Sequence, residues 1–236
     1  MESSNGTVFF KIYNPHSFLK NISYLKNTKF RSFLAKFLTN SGIGWLIIKI
    51  FFQLISLLHF RIKKYPNLFV REIDDFREDF DSVWKKTKQN NSFIAVRNSE
   101  YLKTLYSNKR FIKLKFFDSD KIIGWSISLC TQLDNHKQFG NMKLGSIVDC
   151  LSLKGYETSI IRKTSQILKH KGADLIVSNQ SHNFWKKALK KNSFISGPSN
   201  FVFASSIALS EKLKSNVKSK NYMHLTRGDG DGPINL

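Results

Sequence analysis

Hydrophobic and polar residues alternate in several short stretches of this chain, a pattern typical of strands that bury one face. The clearest stretch runs from Phe111 to Phe117, where apolar side chains alternate with two lysines. Turn-forming residues occupy Asp118 to Lys121, and the apolar run from Ile122 to Cys130 follows directly. The pattern therefore predicts a β-hairpin near the middle of the chain.

A strand–helix–strand unit is predicted to follow this hairpin. Ile147 to Leu153 alternates like a half-buried strand, and the loop from Lys154 to Ser159 interrupts the pattern. Apolar residues then recur at helical spacing, and Asp174 to Ser178 is a short run too rich in β-formers for another helix. Such a crossover is right-handed and makes its two strands parallel. We expect one sheet in which the strands near Ile112, Ile127, Val148 and Ile176 are neighbours in that order. The helix Ser159–Lys171 is expected to pack on one face of this sheet.

The first part of the chain supplies further elements. Thr7 to Tyr13 is typical of a strand, and Pro15 ends it because proline cannot donate to a ladder. Asp74 to Lys88 has apolar residues on one face and acids in its first turns, which predicts a helix. The predicted fold class is α/β (α+β), with a mixed central sheet flanked by helices. We assign residues 1–65 to an N-terminal extension of a strand plus basic and apolar helices, 66–210 to the main domain, and 211–236 to a C-terminal tail.

The most hydrophobic stretch, Gly42 to Leu58, is 17 residues long and has Lys49 near its middle. Lys49, Gln53 and Ser56 are spaced by four and three, so on a helix from Gly42 to Phe60 they form one polar stripe. We expect this stripe to be the most exposed side of the helix. The favoured interpretation is a helix buried against the rest of the protein. A helix lying in a membrane interface and a membrane-spanning helix are the alternatives.

Charge and cysteine content narrow the class of protein. The formal net charge is +21, which favours anionic partners: phosphorylated cofactors, anionic lipid surfaces or nucleic acid. Nucleic acid is the least favoured of these, because most aromatic residues lie at core spacing. The two cysteines, Cys130 and Cys150, lie in apolar runs and are too few for a disulfide framework. With the polar start from Met1 to Gly6, they predict a cytoplasmic protein, with peripheral attachment to the inner face of the membrane as a variant.

Several of these features resemble the GNAT superfamily of acyl-CoA-dependent N-acyltransferases. The matching segments are the hairpin step Lys121–Gly124, the strand Ile147–Leu151 with its following loop and helix, and Asn183–Phe194, which is similar to the closing helix of the family. The resemblance covers Leu68 to Leu209. The closing segment Leu225–Gly232 resembles the end of bacterial tandem-GNAT proteins akin to Fem-type aminoacyltransferases. By that resemblance, this chain is a second half whose residues 1–65 continue a first fold.

The resemblance implies the transfer of an acyl group, from acetyl-CoA, another acyl-CoA or a related donor, to an amine of a sugar or cell-envelope precursor. It places Asp149, or a water, as the proton acceptor. The implied cofactor-binding residues are Leu151, Leu153, Gly155, Thr158, Ser159 and Asn183. The expected substrate-binding residues are Arg97, Tyr101, Asp229 and Asp231, and no metal is expected.

The chain departs from the family pattern at three positions. Glu157 lies where the loop usually carries glycines and an Arg or Gln, Leu189 replaces the expected general-acid tyrosine, and Ser193 replaces the glycine before the closing phenylalanine. A second function class therefore stays open: a GNAT-like binding module without chemistry, whose partner is a protein, a membrane surface or, less favoured, RNA. A partner GNAT half or a homodimer is expected for either class.

Overall fold

The computed structural model describes residues 2–22, 43, 44, 46, 47, 50, 53, 54, 66–91, 93–214 and 223–230. The strands are β1 (Glu2–Ile12), β2 (Phe69–Ile73), β3 (Phe93–Ile94), β4 (Ile112–Asp118), β5 (Lys121–His136), β6 (Gly140–Ser152), β7 (Leu175–Asn179), β8 (Ile195–Ser205) and β9 (Met223–His224). The helices are α1 (Pro15–Asn21), α2 (Asp81–Thr87), α3 (Ser99–Leu105), α4 (Glu157–His170), α5 (Asn183–Lys191) and α6 (Ile207–Lys214). Short 3₁₀ turns cover Glu78–Phe80, Lys88–Asn90 and Arg227–Asp229.

Seven strands form one mixed sheet in the order β2-β4-β5-β6-β7-β1-β8. Its neighbouring strands are antiparallel except for β6 and β7, which are parallel and joined by the crossover through α4. The predicted order of strands and the parallel crossover are thus confirmed. The predicted hairpin is also present, with Asp118 paired to Lys121 across the turn. The fold is a mixed α/β sheet flanked by helices, as the pattern indicated.

The N-terminal strand β1 lies inside this sheet rather than beside it. Residues 8–12 pair with β7 and residues 2–10 pair with β8, so β1 separates these two strands. Phe9 is 1% exposed and belongs to the core that α4 and α5 cover. Although residues 1–65 were assigned to an extension, β1 is therefore an integral strand of the main sheet.

Helices cover both faces of the sheet. On one face, α4 and α5 bury apolar residues that include Ile160, Leu168 and Trp185. The 3₁₀ turn at Glu78–Phe80, α2 and α3 cover the other face, where Phe80 and Leu102 share one apolar cluster with Trp125. The predicted amphipathic helix after β6 is confirmed, because its apolar residues are buried and Arg162 on its other side is exposed. The ends of β6 and β7 lie between these two layers.

The apolar stretch gives a different result from the favoured interpretation. Residues 43, 44, 46, 47, 50, 53 and 54 are helical, and Ile43, Ile47 and Leu54 are 49%, 52% and 54% exposed. These side chains are not buried against the rest of the protein. Gln53 is exposed as predicted, whereas Lys49 and Ser56 lie outside the described residues. None of the described helices is long and apolar enough to cross a bilayer.

Candidate functional site

The pairing between the parallel strands β6 and β7 stops partway along β6. Their ladder runs from Leu144 and Leu175 to Ile147 and Ser178, but β6 continues to Ser152. On its other side β6 has a bulge at Val148, because Ile127 pairs with Asp149 while Ser128 pairs with Ile147. A bulge bends a strand and increases its twist, so it accounts for the separation. We call the space between residues 148–152 and 179–182 the strand opening.

The chain's own C-terminal segment, residues 223–230, packs at this opening. Thr226 bridges to Gln180, and the Ser181 amide donates to the Leu225 carbonyl at 3.0 Å. The Leu225 amide in turn donates to the Ser181 hydroxyl oxygen at 2.7 Å. On its far side the segment forms strand β9, which pairs with β3. These residues were expected to belong to a tail, yet they are built into the domain and cover the opening on the face that carries α2 and α3.

A buried arginine joins this segment to β6. The Nε atom of Arg97 lies 2.7 Å from Oδ2 of Asp149, and its Nη2 atom lies 2.6 and 2.7 Å from the two carboxylate oxygens of Asp229. The Tyr106 hydroxyl donates to Oδ2 of Asp149 at 2.9 Å. Arg97, Tyr106 and Asp149 are 0% exposed. We refer to Arg97, Tyr106, Asp149 and Asp229 as the arginine network.

The groups of this network shift one another's pKa values. Burial works to raise the pKa of Asp149, but the contributions of Arg97, His224 and the Tyr106 hydroxyl together outweigh it and hold that pKa below its usual value. Burial likewise works to lower the pKa of Arg97, and Asp149 and Asp229 reverse the effect, so the arginine stays charged. Burial and then the Asp149 charge raise the pKa of Tyr106, which keeps its hydroxyl as a donor. Asp149 is therefore a stably ionised, fully enclosed carboxylate.

Gly228 allows the C-terminal segment to approach this network. A Cβ atom at Gly228 would lie 2.0 Å from the Tyr106 hydroxyl oxygen and 3.4 Å from Cβ of Asp149. The adjacent 3₁₀ turn begins with a capping box, in which Thr226 accepts from the Gly228 amide and Asp229 accepts from the Thr226 amide. The Gly-Asp-Gly sequence thus works as a close-packed, capped turn. The described residues include no group of acids, histidines and cysteines arranged to hold a metal ion.

The polar side chains of His224 and Gln180 at the opening each have a buried atom without a hydrogen-bond partner. Nε2 of His224 is buried and lies 3.8 Å from Oδ1 of Asp149, too far for a hydrogen bond. The Gln180 amide nitrogen donates across the opening to Sγ of Cys150 at 3.4 Å, while its Oε1 atom is buried and unpartnered. Buried polar atoms are nearly always paired, so such exceptions mark a place where a ligand or water can bind. No spacing in the sequence indicated that Gln180 and His224 would both lie at the opening.

His182 lies beside His224, with ring centroids 6.1 Å apart, and caps the start of α5. Its Nδ1 atom accepts from the Phe184 amide at 3.2 Å. Burial, with smaller contributions from His224 and Lys186, lowers the pKa of His182 to about 4. His182 is therefore neutral at neutral pH. A histidine just before a predicted helix is a weak capping signal.

The loop between β6 and α4 directly follows the β6 side of the opening. Gly155 has a φ of +99°, and a Cβ there would meet nothing within 4 Å. No side chain caps α4 at its N-cap residue, Tyr156, and the helix dipole favours an anion at the first turn. Lys154 adds positive charge, with its ammonium 5.8 Å from the centre of the Phe184 ring on α5. These groups fit a phosphate-bearing cofactor.

Glu157 works against such a ligand. Its carboxylate accepts from the Gly155 amide, at 3.0 Å to Oε2 and 3.2 Å to Oε1, and so occupies one of the loop donors. Burial raises the pKa of Glu157. The backbone amides of Glu157 and Gly155, and the charges of Lys154 and Lys191, oppose that shift. A bound anion and the Glu157 carboxylate would compete for the same loop.

The structure brings only some of the expected site residues together. Arg97, Asp149 and Asp229 meet in the arginine network, although 132 residues separate the first from the last. Tyr101 is 41% exposed on α3 and does not join them. Asp231 lies outside the described residues.

Most of the expected cofactor-binding residues are buried or hydrogen-bonded within the fold. Leu151 is in the core, and the Leu153 amide donates to the Ile123 carbonyl. Thr158 is buried, and the Ser159 hydroxyl donates to the Pro66 carbonyl at 3.1 Å. Gly155 and Asn183, the first residue of α5, remain beside the opening.

No family model matches this chain, and no curated protein matches it. Among solved structures, it is similar to an aminoglycoside 6'-N-acetyltransferase from Acinetobacter haemolyticus, with 12% identity over 58% of this chain and 97% of that chain and a TM-score of 0.40. It is also similar to a GNAT family acetyltransferase from Staphylococcus aureus, with 16% identity over 46% of this chain and 83% of that chain and a TM-score of 0.35. For an aminoglycoside acetyltransferase from an uncultured soil metagenomic sample, the identity is 17% over 45% of this chain and 72% of that chain, and the TM-score is 0.32. At these identities and TM-scores, the likeness does not establish a shared activity.

Proposed function

We propose that this chain is a GNAT-like N-acyltransferase that transfers an acyl group from acyl-CoA, or a related donor, to an amine. The observation that carries the proposal is the strand opening, where parallel strands separate beside a bulge and the uncapped start of α4 follows one of them. An opening of this kind interrupts the pairing of two central strands of the sheet, between two covering layers of helices. A narrow, extended ligand with an anionic end fits such a place.

The chain's residues would divide the work across the opening. The first turn of α4 and Lys154 would hold the anionic part of the cofactor, and the β6 main chain at the bulge would orient the acyl carbonyl. An acyl-CoA would supply a thioester whose carbon–sulfur bond breaks as the amine forms a carbon–nitrogen bond. The amine's proton then goes to water, because Asp149 is enclosed and already ion-paired to Arg97. Asp149 acts in this proposal as a positioning residue that holds the arginine network beside the opening.

The acceptor would approach from the side that the C-terminal segment covers. Asp229 and Arg227 lie in this segment, and the side chain of Asp229 is 10% exposed. In line with the sequence resemblance, we propose an amine of a sugar or cell-envelope precursor as the acceptor. The same resemblance makes a first GNAT half, or a second copy of the chain, the expected partner, with the reaction on the cytoplasmic side of the envelope.

A two-part experiment tests the proposal. Calorimetric titration with acetyl-CoA should show saturable binding, and thiol release with a panel of amino sugars should exceed the rate without acceptor. If water accepts the proton, Asp149→Asn should keep the pH dependence of turnover. If Asp149 were instead the general base, the same change would lower turnover by about a hundredfold or more. Absence of both binding and turnover, for the folded chain with its partner half present, would overturn the proposal.

A binding module without chemistry is the second candidate, and specific observations favour it. The C-terminal segment covers the opening, and Glu157 occupies the Gly155 amide. Both arrangements satisfy groups that an active transferase would offer to its ligands. This alternative predicts saturable binding of a partner without thiol release from any acyl donor tested, which separates it from the enzyme.

A further inference from the structure

The described helical residues of the apolar stretch present apolar side chains to solvent. Ile43, Leu46, Ile47, Ile50 and Leu54 are between 45% and 54% exposed. Their spacing of three, four, seven and eleven residues from the first places all five on one face of a helix. We call these five residues the apolar stripe. Five of the nine large hydrophobic residues that are exposed among the described residues belong to it.

The charge of the surrounding sequence indicates what covers this stripe. Residues 1–65 contain ten Lys or Arg and one acid, Glu2, and the full chain carries a net charge of +21. Basic residues flank the stripe on both sides, at 20–36 and 61–64 in the sequence. A second copy of the chain would bring the same positive charge to the stripe and be repelled. An anionic surface would be attracted.

We propose that the apolar stripe is a membrane-docking face that inserts into the interface of an anionic lipid bilayer. A helix with an exposed apolar face and basic neighbours lies in the plane of the interface, with its apolar side chains among the acyl chains and its cations near the headgroups. The docking face places the α/β domain at the membrane surface. This inference does not depend on catalysis, because it rests on exposed residues outside the strand opening.

Flotation with lipid vesicles tests the inference on the full chain. The probes are vesicles of equimolar phosphatidylglycerol and phosphatidylcholine, and vesicles of phosphatidylcholine alone. The chain should float with the anionic vesicles and stay behind with the neutral ones, and high salt should weaken binding. Ile47→Glu should weaken binding to the anionic vesicles by at least about tenfold, since it removes apolar contact and adds a charge inside the interface.

Ile207→Glu is the matched control. Ile207 on α6 is 65% exposed and lies outside the stripe, so the change has the same chemistry and the same effect on net charge. Equal loss of binding in the two variants would overturn the inference, as would equal binding to anionic and neutral vesicles. The inference would also be wrong if the chain sedimented as a dimer that Ile47→Glu dissociates, because the stripe would then be an interface between copies. Circular dichroism of both variants confirms that each is folded.

Discussion

Asp229→Asn isolates the electrostatic contribution of the arginine network. The amide can still accept from the Thr226 backbone, so the cap on the 3₁₀ turn is largely kept. It loses the negative charge that faces Nη2 of Arg97 at 2.6 Å. Arg97 keeps Asp149 as its partner, so the buried cation is not left alone. The expected effect is therefore smaller than that of breaking an isolated buried pair.

The magnitude follows from the bond that is weakened. A hydrogen bond to a charged group contributes about 1.5–3 kcal/mol, so we expect Asp229→Asn to lower the free energy of unfolding by about 2 kcal/mol. For a chain of 236 residues this corresponds to a fall in Tm of about 6 °C. Arg97→Met, which leaves two carboxylates without their cation, should cost at least about 4 kcal/mol.

Urea denaturation of the variants measures these free energies directly. Asp134→Asn is the matched control, because Asp134 is exposed on β5 and the same change there should stay within about 0.5 kcal/mol. Hydrogen exchange adds a local readout, since weakening the network should release the C-terminal segment and speed exchange at residues 225–229. If Asp229→Asn were no more destabilising than Asp134→Asn, the network would not hold the segment in place.

Three further predictions concern neighbouring groups. The folded protein holds the pKa of His182 at about 4, below the value of about 6.5 for an unperturbed histidine. The unfolded chain therefore binds more protons in this range, so stability should fall as pH drops from 7 towards 4. His182→Asn keeps a cap acceptor for α5 and should flatten that dependence in denaturation series at several pH values; an unchanged slope would contradict the assignment. Glu157→Gln removes the charge that competes for the Gly155 amide, so calorimetry should show coenzyme A affinity equal to or higher than that of the parent chain, and weaker binding would refute the competition. Gly228→Ala places a Cβ 2.0 Å from the Tyr106 hydroxyl and should destabilise the fold by about 1–3 kcal/mol in urea titrations, whereas Gly155→Ala, although strained by its positive φ, meets no neighbour.

The sequence predicted the elements whose signals are local. Alternation identified β4 and β5, and the change from a period of two to helical spacing identified the β6–α4–β7 crossover. These segments pair with neighbours close in sequence, so their patterns and turns carry most of the information. The family resemblance also identified Asp149, the acid in strand β6, as a candidate site residue.

Contacts between residues far apart in the sequence could not be predicted in the same way. The insertion of β1 between β7 and β8 joins residues more than 150 positions apart, and nothing in Thr7–Tyr13 specifies its partners. The partners of Asp149 were equally hidden, because Arg97 and Asp229 come from distant loops. The C-terminal segment was assigned to a tail for its glycines and polar residues, yet one of those glycines, Gly228, permits its close packing.

Hydrogen exchange in the presence of saturating acetyl-CoA tests the central proposal most directly. If the cofactor binds in the strand opening, amides in residues 147–159 and 179–185 should exchange more slowly, because the ligand contacts the end of β6, the start of α4 and the start of α5. The helix α6, which is distant in sequence from the opening, should be unchanged and serves as an internal reference. Exchange that is the same with and without acetyl-CoA, or protection confined to residues outside these two ranges, would contradict the account.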